Sequence, residues 1–357
     1  MANPVSRLWA DYSNASPESK LRVRRILTGV WLLVVAVLAI WVIRNQEDQL
    51  RQIADRLRSA NRTWLAIAVV VEIASMSTVA LTYHLILKRL GHPISIPWLL
   101  HLHVQRAGVN FAAPFGGAAT AYTWVGRLGQ KNVPGEDAVL TLALRTLCVY
   151  VATLVVVVIT FAVSGRPLFA GLGVIAMIAI VLLSIGIARK GRGDWKTLQR
   201  WARKLPARFQ ERVLTAIERF KEHRLRPQDL LRVVGSTLLT RFCTISLIYI
   251  CIRALDVTPS VYALFIAYVS SFVAARLVPV LYGMGAIEGS LTVALQRSGV
   301  PAEVAVGSAL LFRFFDFLAP SLIGLALYAW AERTNPSLRA STQTVPSEPQ
   351  AEEPEDL

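Results

Sequence analysis

Six charged residues stand in stretches that are otherwise apolar: Arg106 in LHVQRAGVNF, Arg145 in TLALRTLCVY, Arg276 in FVAARLVPV, Glu288 in GMGAIEGSL, and Arg313 with Asp316 in ALLFRFFDFL. An arginine near the centre of a membrane helix costs roughly 2.5–3.5 kcal/mol even on the lenient insertion scale, so residues of this kind face a bundle interior or a polar cavity. Guanidinium presents planar, paired donors that suit a phosphate. Glu288 and Asp316 then balance charge in an empty site or carry protons. The six are candidates for binding an anionic headgroup in a cavity. A structural reading competes with this one: the arginines pair with Glu288, Asp316 or Glu72 and hold the helices together. Glu136 and Glu303 each stand two residues after a proline at the start of an apolar run, a position that favours helix capping. His84, His101 and His103 read as polar fillers.

Other chemistry finds little support. Cys148, Cys243 and Cys251 fall in apolar runs without a C-x-x-C or a nearby histidine cluster, so neither a disulfide framework nor a metal site is expected. No nucleophile and base pair, H-E-x-x-H or phosphate-binding Walker loop is present, so no enzymatic activity and no cofactor are expected.

The charged residues belong to a repeat. QRAGVNFAAPFGGAATAYTWVGRLGQKNVPGEDAVLTLALR, ending at Arg145, aligns with AARLVPVLYGMGAIEGSLTVALQRSGVPAEVAVGSALLFR, ending at Arg313. Arg106 matches Arg276 and Arg145 matches Arg313, at an offset of about 165 to 170 residues. The helix breakers match too: Pro114, Gly116 and Gly117 against Pro279, Gly283 and Gly285. Backbone that leaves helical geometry inside lipid must be buried in protein or line a polar cavity, because unsatisfied N–H and C=O groups are costly in hydrocarbon. These positions are therefore expected to be helix breaks or hinges beside a cavity.

The elements that position these residues follow from composition. Hydrophobic residues make up 54% of the 357 and the mean hydropathy is +0.48, far from a soluble protein. Runs near 20 residues long can cross the hydrocarbon layer. They are Ile26–Ile43, Trp64–Leu87, Ala138–Val163, Leu168–Ala188, Leu230–Ile252 and Ala302–Trp330, with two interrupted segments at about Pro97–Val125 and Ser260–Leu295. The first run reads as a retained anchor, not a cleaved signal. The fold class is an all-α polytopic membrane protein of about eight membrane helices.

Charge orients the chain. Thirteen Lys or Arg between Arg189 and Arg226 mark a cytoplasmic loop, and Lys20, Arg22, Arg24 and Arg25 mark a cytoplasmic N-terminal arm. An even number of crossings must separate them, so Pro97–Val125 either returns to its own side as a re-entrant hairpin or crosses twice. With that parity the spans from Trp64 and Leu230 start on opposite sides, and the halves are inverted repeats, a transporter design. Arg44–Arg62, with five arginines, is then placed outside as a surface helix. The organisation expected is an arm at 1–25, a membrane domain at 26–331 and a disordered acidic tail at 332–357. Within the membrane domain, repeat one covers about 64–188, a basic amphipathic loop 189–229 and repeat two about 230–331. A net charge of +15, with tryptophans opposite the loop's basic face, fits anionic phospholipid better than nucleic acid. The location expected is the inner (cytoplasmic) membrane, multi-pass, with both termini cytoplasmic.

The second repeat, P-x-x-x-G-x-G-x-x-E-G followed by G-V-P and then F-R, resembles the transmembrane region of bacterial lysylphosphatidylglycerol synthases, a module that also occurs alone in flippase-like membrane proteins. The resemblance covers about Leu27 to Trp330 and places Gly283, Gly285, Glu288 and Arg313 at the motif positions. It implies a lipid-translocating module for an anionic or modified lipid. One departure stands out: GGAAT in the first half replaces the GGE often found there, so the symmetric acid is missing. No aminoacyl-transferase domain follows, so synthase activity is not expected. The alternative function is a non-transporting membrane partner that presents a phospholipid or other amphiphilic lipid to a separate lipid- or glycan-modifying enzyme. Sequence leaves the oligomeric state open.

Overall fold

A computed structural model of the chain describes residues 55, 57–112, 116–164, 227–278 and 285–334. The chain divides into two compact units, Met1–Arg58 and Ser59–Leu357. In the first, Asp55 and Arg58 form an exposed ion pair one helical turn apart. The anchor run Ile26–Ile43, the run Leu168–Ala188, the basic loop up to Arg226, the tail beyond Thr334, and Pro114, Pro279 and Gly283 lie outside the described residues.

Among its described residues the second unit consists of helices and the turns that join them. Its helices are α1 (Arg62–Arg89), α2 (Ile96–Ala112), α3 (Gly116–Gly129), α4 (Gly135–Val163), α5 (Pro227–Arg253), α6 (Val261–Leu277), α7 (Ala286–Arg297), α8 (Ala302–Arg313) and α9 (Ala319–Thr334). A π turn at Phe314–Leu318 joins α8 to α9. Four helical runs are long and apolar enough to cross a membrane: Arg62–Arg89, Gly135–Val163, Gln228–Arg253 and Ala302–Ala331. They coincide with the four uninterrupted spans expected in this region. Each interrupted segment is a pair of shorter helices, α2 with α3 and α6 with α7, and within each pair the helices pack on each other. The halves share one order of lengths, 28, 17, 14 and 29 residues in α1 to α4 against 27, 17, 12 and a final run of 30.

Local signals account for the helix ends. The Asn61 side chain accepts the Thr63 N–H at 3.0 Å to start α1, while Lys88 and Arg89 sit against its carbonyl end. Ser260 starts α6 by accepting the Ala263 N–H at 3.1 Å.

Packing centres on α1 and α5, the most extensive helix contact. Thr78 meets Thr240 at 2.7 Å, Thr82 meets Ser236 at 2.9 Å, and Arg89 Nε reaches Asp229 at 3.0 Å. As the residue number rises along α1 its partner's number falls along α5, so the two helices run antiparallel. Small hydroxyl residues let spans approach and bond across the seam where no water competes. Elsewhere α2 crosses α9 where Gly108 and Gly324 face each other without side chains. Outward, Val70, Leu231, Leu277 and Trp330 are 66%, 71%, 75% and 63% exposed, a surface that lipid tails tolerate and water does not. The protein is a multi-pass membrane protein.

Candidate functional site

The charged residues separate into two groups and one outlier. In the second half, the break after α6 ends at Gly285, whose φ of 80° is one that side-chain-bearing residues rarely adopt. That turn starts α7 and brings Glu288 back over it. Glu288 Oε2 accepts the Gly285 N–H at 2.7 Å, and Oε1 accepts Arg313 Nε at 2.6 Å. One carboxylate thus meets both a helix N-terminus and the Nε of a buried guanidinium. Arg313 is 6% exposed, and its guanidinium carbon lies 4.5 Å from the Phe317 ring centre. Its Nη1 and Nη2 are buried without a hydrogen-bond partner among the described residues.

The π turn places Asp316 just past Arg313, half-buried and within electrostatic reach of Arg313, Arg241 and the buried Glu72. Widened turns of this kind recur at functional sites because they re-aim side chains along a helix. Arg241, on α5, donates weakly to the Tyr268 hydroxyl at 3.5 Å.

In the first half, two arginines converge on one tyrosine. Arg106 Nη1 donates to the Tyr83 hydroxyl at 2.8 Å and Nε to the Thr120 carbonyl at 3.2 Å. Its guanidinium carbon lies 5.0 Å from the Trp124 ring centre, and that of Arg145 lies 4.9 Å from the Tyr83 ring centre. Tyr83 and Trp124 are fully buried, with ring centres 4.1 Å apart.

Arg276 stands apart. It lies over Tyr150 at 5.2 Å and Phe272 at 5.0 Å, and it forms no ion pair among the described residues. The repeat-matched arginines therefore have unlike surroundings: Arg313 holds a carboxylate, Arg145 a tyrosine, Arg106 a tyrosine with a tryptophan, and Arg276 two rings. The described helices end at Ala112 and Leu277 and resume at Gly116 and Ala286, with Gly117 second in α3; of the residues expected as hinges, Pro114, Pro279 and Gly283 lie outside the described residues. Glu136 and Glu303 stand in the first turns of α4 and α8.

A cleft of about 470 Å³ lies at the turns joining α1 to α2 and α3 to α4, lined by His92, Ser95, Trp98, Lys131 and Asn132 among others. None of the six charged candidates lines it. Sequence reasoning passed over Tyr83, Trp124 and Arg241. The first two look like ordinary aromatic residues of an apolar span, but Arg241 in TLLTRFCTISL carries the same signal as its fellows and could have been found.

Antiparallel spans, paired short helices, a buried arginine at Arg313 and half-buried ones at Arg106 and Arg145 define a polytopic membrane protein with charged groups inside its helical bundle. The family model for the lysylphosphatidylglycerol synthase transmembrane region matches residues 29–324, and the chain belongs to that family. A search of curated proteins finds no match to the chain.

Proposed function

We propose that the protein is a non-enzymatic lipid transporter that moves an anionic or modified lipid between leaflets along a path past Arg313, Glu288 and Asp316 on one side and Arg106 and Arg145 on the other. The observation that carries this reading is Arg313: a buried guanidinium in a membrane-spanning run, held by Nε alone, with its two outer nitrogens unpartnered among the described residues. An arginine serving only as a strut is expected to have its donors satisfied. One that keeps its planar fork free can take a phosphate.

Family membership supports a role in lipid modification or transport. The antiparallel pairing of α1 with α5 supports inverted repeats, and the self-packing of α2 with α3 and of α6 with α7 supports re-entrant hairpins. In this reading the protein sits in the inner membrane with both termini cytoplasmic. Without a phosphate loop to bind ATP, it equilibrates lipid or draws on an ion gradient or a partner.

The test is reconstitution of the full chain into vesicles that carry a fluorescent anionic lipid, followed by chemical quenching from outside. Quenching of both leaflets, lost in Arg313→Lys, is the expected result. Binding of the same lipid without movement assigns the protein instead to presenting lipid to a separate enzyme. Quenching of one leaflet with no lipid binding overturns both.

A further inference from the structure

We propose that the first half holds a phosphate-binding site of its own, built by Arg106 and Arg145 around Tyr83, for which the described residues supply no counter-ion. Only the identity of the ligand as a lipid rests on the transport reading.

The argument starts from charge. The guanidinium carbons of Arg106 and Arg145 lie 5.8 Å and 4.9 Å from the centre of the same Tyr83 ring. Neither forms an ion pair among the described residues. Two like charges that share one buried ring repel in a medium of low dielectric, and stacking on aromatic faces offsets only part of the cost of taking them out of water. His103 adds an unpartnered, buried Nδ1 within electrostatic reach of both. A cluster of donors and cations with no acid among them is complete only with an anion in it.

Comparison with the second half says which piece is missing. With Arg145 aligned to Arg313, Glu288 falls opposite Thr120. In the second half that position sends a carboxylate to the arginine. In the first half it is a threonine whose backbone carbonyl takes Arg106 Nε. Among the described residues the first half has no acid to fill that place, and both arginines are half-buried, so an anion from outside can reach the cluster. Two guanidinium groups beside a hydroxyl offer the paired donors that bind a phosphate. The phosphate can belong to a lipid headgroup or be free in solution.

The experiment measures the melting temperature of the purified full chain in neutral micelles, titrated with phosphatidylglycerol, with phosphatidylcholine as a control, and separately with inorganic phosphate. It is run in the Arg313→Lys background so that the other candidate site is weakened. Ligand that binds the folded state alone raises the transition temperature with concentration. The expected result is a rise that Arg106→Gln, Arg145→Gln and Thr120→Glu each weaken by roughly tenfold or more in apparent affinity, as for loss of a charged hydrogen bond. Thr120→Glu is the decisive variant, since it keeps both arginines and adds the acid that the second half has. A rise with phosphatidylglycerol alone assigns a lipid, and an equal rise with inorganic phosphate assigns a soluble anion. No rise with either, or a rise that all three variants keep, overturns the site. Because the readout is binding, failure of lipid movement in vesicles leaves this result standing.

Discussion

Gly108 and Gly324 touch backbone to backbone. A methyl group on Gly108 would overlap the Leu325 amide nitrogen, and one on Gly324 would overlap the Val104 carbonyl oxygen. No flexible side chain stands there to give way, so α2 and α9 can lie this close only while both positions lack a Cβ.

Gly108→Ala and Gly324→Ala should therefore force the two helices apart, each at about 1–3 kcal/mol, the usual cost of overpacking. Gly289→Ala is the control: its position in α7 is open, with nothing within 4 Å of the added carbon. It should be neutral or stabilise slightly through helix propensity. Melting temperatures of the three variants in one detergent check this, and equal behaviour of all three would refute the close crossing.

Glu288→Gln removes the charge that Arg313 Nε meets at 2.6 Å and leaves a buried guanidinium without its ion-pair partner. A loss of about 3–5 kcal/mol is expected, as for other broken buried pairs. Arg313→Ala should cost less in combination with Glu288→Gln than the sum of the two single changes. A double-mutant cycle read from thermal unfolding tests the coupling, and strict additivity would deny it.

Arg313→Lys separates support from binding. An ammonium can still face Glu288, so stability should stay within about 1 kcal/mol of the parent, but the two free terminal nitrogens are gone. Lipid movement in vesicles should fall by roughly tenfold or more, the scale of a lost charged hydrogen bond. Parent-like movement would return Arg313 to a purely structural role.

The hydroxyl contacts Thr78 to Thr240 and Thr82 to Ser236 should each couple α1 to α5 by about 0.6 kcal/mol, the average for hydrogen bonds between membrane helices. Valine substitutions taken singly and in pairs measure this. Coupling between Thr78 and Ser236 in place of Thr240 would contradict the antiparallel register.

If the halves are inverted, a reporter fused after Arg200 and one after Ala340 should both read as cytoplasmic, while one between Ser164 and Pro167 should read as outside. An external signal from the position after Arg200 would remove the inverted arrangement.

Much of this arrangement was legible before any coordinates. The four uninterrupted spans announce themselves by length and hydropathy, and glycine and proline inside apolar runs single out the two interrupted segments, each of which holds a pair of shorter helices. Which arginine meets which partner was not legible. The alignment pairs Arg106 with Arg276 and Arg145 with Arg313, but the rotation of each helix about its axis decides what a guanidinium faces. Local sequence does not set that angle. Tyr83 and Trp124 were invisible for the same reason: their role comes from neighbours on α2 and α4. Arg241 was overlooked because it falls outside the repeat-matched positions. The π turn at Phe314–Leu318 carries no composition signal of its own.

That π turn also fixes a phase. An α-helix advances about 100° per residue, so the one extra residue of a π turn swings everything after it around the axis by about that angle. Upstream, the face with Arg313 looks to Glu288; downstream, the face with Gly324 looks to Gly108. Deleting a single residue between Phe314 and Leu318 would shorten the run by about 1.5 Å, which a membrane helix absorbs easily. It would also turn the two faces against each other, so that whichever contact formed, the other would point elsewhere.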